Sequence, residues 1–285
     1  MKSIYLTKRE FKRLKYFFID ENVPNTEANF FYEKNNDNYL YKIYRFKDKD
    51  YLLNKERTIS DLINSKDIVS IPELILPEKK VIIDNSFQGI LIERIKGCNA
   101  SILLQDKFIS LKTKIEILKQ IGVILGKIKN VDKSLNLAFG DVHAGNFMLL
   151  NDKVYGIDTD GLNIFNNKGR INYYLLNGSF ITDIKKYSLD YNNMIKASTE
   201  TDLFCYIMMV LEIIFNGKVY KLTLDQFKYY LDYLDKLGFD SNLLKSFASI
   251  YDEEKDNISP LPYLDNLTTI NTNASFLTLK KKGLL

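Results

Sequence analysis

Between Phe139 and Gly161 the chain reads FGDVHAGNFMLLNDKVYGIDTDG, and this stretch constrains the fold more than any other. Asp141 and Asn146 stand in a D-x-x-x-x-N frame, an apolar run follows, Asn151-Asp152 supplies a turn, and VYGID returns to a second acid, Asp158. The order predicts strand, turn, strand, acid. Such a hairpin holds a carboxylate, an amide oxygen and another carboxylate near one point. Those are the hard oxygen ligands and the base that a Mg-nucleotide and a hydroxyl nucleophile require. Asp160, two residues beyond Asp158, is a rival for the metal on the same face. The competing reading of a short Asp-rich motif is a solvated loop, so the flanking sequence has to decide.

With 285 residues, 46% of them hydrophobic, the chain can bury a full core and is long enough for two modest lobes. Its 40 basic and 36 acidic residues are well mixed and leave a net charge of +4, which implies no nucleic-acid partner. The opening MKSIYLTKREFKRLKYFFIDEN carries charges every few residues, so neither a signal peptide nor a membrane span is expected there, and a cytoplasmic location follows. Cys98 and Cys205 have no metal-ligand spacing and are read as free thiols. His143 is the only histidine, which excludes a His-rich metal site and makes any Ser-His-Asp hydrolase depend on one ring.

Residues 4–20 have an apolar face compatible with a helix or a strand, and periodicity does not choose between them. From Asn29, NFFYEK, the turn-rich NNDN and the alternating YLYKIYRF read as a hairpin. Lys42 lies mid-strand on the side shared by Leu40 and Tyr44, opposite Tyr39, Tyr41 and Ile43, and a cation facing inward needs a partner. DYLLNKERTISDLINS follows as a helix, with Leu52, Leu53, Ile59, Leu62 and Ile63 near helical spacing and Glu56 in its middle. Glu56 is either that partner or a solvated charge on an exposed face. KKVIID and QGILIERI are two further strands around the turn Asp84-Asn85, completing a five-stranded sheet with one helix. Beyond Lys107, SLKTKIEILKQIGVILGKIKN predicts a long helix capped by Ser110. An irregular segment rich in Asn, Gly and Tyr comes after Gly161, then the apolar helix ASTETDLFCYIMMVLEIIFNG, and two or three further helices over 223–270. Asp202 opens that apolar helix, where an acid is tolerated only if hydrogen-bonded.

These motifs, in this order, resemble the protein-kinase-like superfamily over roughly residues 25–270. In the resemblance Asp141 falls on the catalytic aspartate, Asn146 on the metal-binding asparagine and Asp158 on the aspartate of the DFG motif. The wording GDxHxGN with IDTD is nearer to the small-molecule phosphotransferases and bacterial kinase-like proteins than to eukaryotic kinases. Lys42 resembles the phosphate-binding strand lysine, with Glu56 as its helix partner. Glu93 to Gly97, ERIKG, resembles the hinge, which places the adenine ring against the backbone of Glu93 and Ile95 and has Gly97 turn the chain into the next lobe. Asp202 falls on the buried aspartate that braces the catalytic loop.

The resemblance implies a bilobal α+β fold. Residues 1–96 form a small, mainly antiparallel β lobe with one key helix, and 97–285 a larger, mainly helical lobe. It implies ATP and Mg as cofactors and an unidentified hydroxyl acceptor, protein or small molecule. The first expectation is a bacterial-type protein Ser/Thr kinase. Its alternatives are an aminoglycoside- or choline-kinase-like phosphotransferase and a nucleotide-binding pseudokinase. One departure favours the last: between Val23 and Lys42 there is no glycine, where most kinases cover the phosphates with a glycine-rich loop.

Overall fold

The computed structural model describes residues 3–17, 27–131 and 137–162, the backbone of 173–175 and 194–196, and single residues within 202–213 and 228–235. It is an α+β structure built largely on antiparallel strands. The open stretch at the start resolves into strand, helix and strand: β1 (Ser3–Leu6), α1 (Lys8–Phe11) and β2 (Lys15–Phe17). Thr7 starts α1 with a capping box, its side chain accepting from Glu10 N while Glu10 accepts from Thr7 N. The next elements are β3 (Ala28–Glu33), β4 (Asn36–Tyr44), α2 (Lys49–Asn64) and α3 (Lys66–Val69), then β5 (Pro77–Ile83) and β6 (Ser86–Glu93). The sheet has six strands rather than five, in the order β1-β5-β6-β4-β3-β2, because both β1 and β2 come from the unassigned stretch. Among the described strands of this sheet, only β1 and β5 pair in parallel.

Period-two alternation in β4 divides its side chains between two apolar clusters. Tyr44 packs with Ala28, Leu52, Ile59, Phe87 and Ile90 beneath α2. Tyr41 and Ile43 pack with Val81, Ile83 and Leu91 on the other face, where Phe11 and Leu14 cover them. Lys42 therefore points to the α2 side and is buried. On α2 the inward residues are Leu52, Ile59 and Leu62, whereas Leu53, expected in the stripe, is exposed. Asp48 caps this helix by accepting from Tyr51 N at 2.8 Å.

Gly89 in β6 lies opposite Ile43, and a methyl group built on it would sit 2.0 Å from Lys42 O. The neighbour is backbone, so the strands must part to make room. Gly89→Ala is expected to cost about 1–3 kcal/mol, the usual range for overpacking. Urea denaturation measures this, and an unchanged midpoint would show that β4 and β6 separate freely.

The chain continues through β7 (Cys98–Asn99), α4 (Ala100–Gln105) and α5 (Leu111–Lys129) to the hairpin of β8 (Phe147–Leu150) and β9 (Lys153–Gly156). Strands β7, β8 and β9 form a three-stranded sheet. Asn151 and Asp152 take φ of 50° and 61°, and Asp84 and Asn85 between β5 and β6 take 47° and 64°. Asx pairs are suited to two-residue hairpin turns of this hand. The predicted cap on α5 is present, Ser110 Oγ accepting from Thr113 N at 3.2 Å. Gln120 of α5 grips the hairpin, donating to Asp152 O and accepting from Val154 N, each at 2.9 Å.

The chain bends at Gly97. A methyl group there would lie 2.2 Å from Leu149 O, so the missing side chain lets the chain pass close to β8. The segment after α3 runs beside β9: Ile75 N donates to Gly156 O at 2.9 Å and Gly156 N to Glu73 O at 2.8 Å. This seam joins the hairpin to the six-stranded sheet. Within 202–213 the described residues are helical, and Tyr206 OH donates to Leu118 O of α5 at 2.7 Å. Tyr173–Leu175 pairs antiparallel with Met194–Lys196, inside the segment read as irregular. The expectations for 18–26 and most of 223–270 lie outside the described residues. Cys98 and Cys205 are free thiols. Among the described residues no helix is long and apolar enough to cross a membrane.

Candidate functional site

The loop from Phe139 to Asn146 is fixed from below. Asp202 accepts from Phe139 N at 2.6 Å and from Gly140 N at 2.8 Å, as expected of a buried acid in an apolar helix. Gly140 takes φ of 89°, which a residue with a side chain rarely adopts. Phe139 stacks on Phe147 under the loop, with ring centroids 5.2 Å apart. From the side, Asn99 donates to Gly145 O at 2.8 Å while its oxygen caps α4 through Ser101 N at 2.9 Å. Asn99 was not singled out in the sequence, although Asn-Ala-Ser ahead of an apolar run is an N-cap signal.

This frame leaves Asp141 with about half of its side chain open to solvent. Asn146 donates to Asp141 O at 2.9 Å and to Asp141 Oδ2 at 3.3 Å, so its amide oxygen is left to face elsewhere. His143 accepts from Gly145 N through Nδ1 and presents Nε2 to Asp141 Oδ2 at 3.5 Å. The carboxylate raises the His143 pKa, against the opposing effect of burial. Burial pushes Asp141 upward, but His143 and Asn146 together hold it below the ordinary carboxylate value.

The hairpin sets Asn146 beside Ile157, the residue before Asp158. Phe147 pairs with Gly156, and Ile157 N donates to Asn146 O at 2.8 Å, so the two candidate ligands leave the open end of one hairpin. Asp158 sits in the left-handed region at φ 63° and starts a 3-10 turn, Thr159–Gly161. Thr159 anchors that turn by donating to Ile75 O at 2.5 Å. Residues 118 positions apart in the chain then meet: Lys42 donates to Asp160 Oδ1 at 2.6 Å and also to Asp158 Oδ1.

Four further residues, Tyr44, Lys55, Glu27 and Tyr51, join the cluster. Tyr44 OH donates to Asp160 Oδ2 at 2.6 Å, Lys55 lies 3.8 Å from the same oxygen, and Lys55 also pairs with Glu27 at 2.9 Å. Tyr51 OH donates to Glu27 as well. Burial works to lower the Lys42 pKa, but Asp158, Asp160 and Glu27 outweigh it and hold the ammonium above its ordinary value. Burial likewise works to raise Asp160, yet Lys42, Lys55 and Tyr44 keep it well below the usual carboxylate range. Asp158 is pushed upward, by burial first and then by Asp160, against the pull of Lys42.

The expected pairing of Glu56 with Lys42 does not occur. Glu56 accepts from Lys80 of β5 at 2.8 Å, because adjacent helix positions are turned about 100° apart and α2 presents Lys55, not Glu56, to the acids. Glu93 ends β6 opposite Tyr39, and Arg94 N donates to Asn38 O at 2.8 Å before the chain leaves the sheet through Ile95. Among the described residues no hydrogen bond or ion pair joins Glu93 or Ile95 to the Lys42 cluster.

Among the described residues no three His, Cys, Asp or Glu side chains form a ready metal cage. The donor chemistry nevertheless fits Mg, which usually takes only one or two protein carboxylates and completes its shell with water and phosphate oxygens. Asp158, with 42% of its side chain exposed, and the amide oxygen of Asn146 are hard donors carried at the open end of the same hairpin. The open end of the hairpin therefore carries two hard oxygen donors, Asp158 bonded to a buried cation and Asn146 bonded to an open carboxylate. In comparisons with known proteins, no family model matches this chain and no curated protein is significantly similar to it.

Proposed function

We propose that the chain is an ATP- and Mg-dependent phosphotransferase with a bilobal protein-kinase-like fold, its lobes covering residues 1–96 and 97–285. The acceptor is a hydroxyl, in the first place a protein Ser or Thr, and the setting is the cytoplasm. One observation carries the reading: a buried strand lysine, Lys42, meets the acid that leaves the open end of a hairpin, and the same end holds Asn146 bonded to Asp141. A lysine for phosphates, an amide and an acid for Mg, and a free carboxylate for the hydroxyl are the parts that phosphoryl transfer uses. The brace from Asp202 supports it, because a buried acid holding the loop backbone is a costly feature unless that loop needs a fixed shape. Bound Mg would be held by Asp158 and Asn146 and would neutralise charge on the phosphates. Asp141 would orient the acceptor hydroxyl and take up its proton.

Asp158→Ala tests the reading. Lys42 keeps Asp160 as a partner, so the fold should survive, while the gain in ATP affinity on adding Mg should fall by at least about tenfold, or 1.4 kcal/mol. Calorimetry with ATP in the presence and absence of Mg measures it. Undiminished metal-dependent affinity would remove Asp158 from the metal site.

The pseudokinase reading draws on a different observation. Lys42 is engaged by two acids at once, and the segment before β3 that would cover phosphates contains no glycine. A protein that binds nucleotide without transferring phosphate needs the lysine and the metal acid but has no use for Asp141.

A further inference from the structure

The two acids around Lys42 are not equivalent. Asp158 has 42% of its side chain exposed and, among the described residues, one carboxylate oxygen engaged, by Lys42. Asp160 is 2% exposed, and both of its oxygens are taken, Oδ1 by Lys42 and Oδ2 by Tyr44 with Lys55 nearby. An exposed acid can turn from an ammonium to a metal ion because water replaces the bonds it gives up. A buried acid whose oxygens are both occupied cannot do so without leaving charges unpaired in a site of low dielectric. Helix α2 is tied to the same point with a cation: Lys55 reaches the Asp160 carboxylate and main-chain oxygen, and its Nζ lies 5.5 Å from the centroid of the Tyr44 ring.

On the nucleotide reading above, we propose that Asp160 is the permanent partner of Lys42 and Asp158 the exchangeable one, with Tyr44 and Lys55 fixing Asp160. The link between helix and lysine is then inverted in charge. In place of a helix glutamate gripping the lysine directly, a helix lysine grips an acid of the hairpin exit, and that acid grips Lys42. Asp160 and Lys55 are positioning residues: they keep the ammonium in the path of the phosphates after Asp158 has turned to the metal. Glu56 is free to pair with Lys80 because its place has been taken.

The test is calorimetric titration of ATP in EDTA and of ATP with Mg, using wild type, Asp160→Asn, Lys55→Met and Lys55→Arg. In Asp160→Asn the acid left bonded to Lys42 among the described residues is the exposed Asp158, so affinity for metal-free ATP should drop about tenfold or more, as for other residues that orient a ligand-binding group. Lys55→Met should weaken metal-free ATP in the same direction, and Lys55→Arg, which keeps the charge, should restore it. A general loss of structure would not be rescued by arginine, and circular dichroism establishes that each variant is folded. If Asp160→Asn does not fold, Tyr44→Phe, which removes one hydrogen bond, takes its place in the comparison. Asp160→Asn binding metal-free ATP like wild type and losing only the gain from Mg would make Asp160 the metal ligand and overturn the inference alone. Wild type binding no ATP in either titration would remove the nucleotide reading and this inference with it.

Discussion

Asp202→Ala should unfold at markedly lower temperature than wild type, although its sequence position is far from the loop that it holds. The substitution leaves the amides of Phe139 and Gly140 without acceptors inside the protein. At about 1–3 kcal/mol for each orphaned donor, the loss comes to roughly 2–6 kcal/mol, a large share of the stability of an ordinary domain. Thermal melts measure it. An unchanged melting temperature would mean that the two amides find other partners and that the loop does not depend on Asp202.

The size of that effect should depend on pH, in a direction fixed by the carboxyl's own ionisation. Burial pushes the Asp202 pKa up to about 7; the two amide donors oppose this and the charge of Asp141 adds to it. Between the unfolded value near 3.8 and about 7, the folded chain holds a proton that the unfolded chain releases. The contribution is therefore complete below the unfolded pKa and is lost as pH rises through the folded one. The gap in melting temperature between wild type and Asp202→Ala is expected to be widest near pH 4 and to narrow toward pH 8. A gap that widens with pH would show that the ionised form is the one the loop prefers.

How far the sequence reveals this arrangement depends on how local each determinant is. The turns at Asp84-Asn85 and Asn151-Asp152 are legible because an Asx pair carries its backbone preference with it. The cap at Ser110 and the buried acid at Asp202 are legible for the same reason, each being a polar residue at a place where only one kind of bond satisfies it. The first strands hide behind a mixed pattern, although the Thr7–Glu10 capping box marks α1 between them. The choice between Lys55 and Glu56 is not local. Lys55 lies three residues after Leu52 and four before Ile59, and Glu56 four after and three before, so both border the buried stripe. What decides is an acid more than a hundred positions away, Asp160. The close approach at Gly97 is hidden in the same manner, because the backbone that it must admit, at Leu149, belongs to a strand formed much later in the chain.

The second large effect concerns Asp141, which separates an enzyme from a binder. Its side chain is half exposed, its contacts are an amide donor from Asn146 and the ring of His143, and it is held ionised below the ordinary carboxylate value. Neither Lys42 nor Asp158 is bonded to it among the described residues. An exposed, ionised acid aimed beside a candidate metal site is suited to accept a proton from a hydroxyl as phosphate arrives. Asp141→Asn preserves shape and removes that capacity, so Mg-ATP affinity should stay within about twofold of wild type while phosphate transfer falls by about two to four orders of magnitude, the range for losing a general base. Transfer of labelled phosphate from ATP, to the protein itself and to a proteome extract, provides the measurement. If wild type transfers no more than Asp141→Asn across a broad acceptor panel while both bind Mg-ATP, the chain is a nucleotide-binding pseudokinase. Asp141 would then be kept only as the acceptor for Asn146.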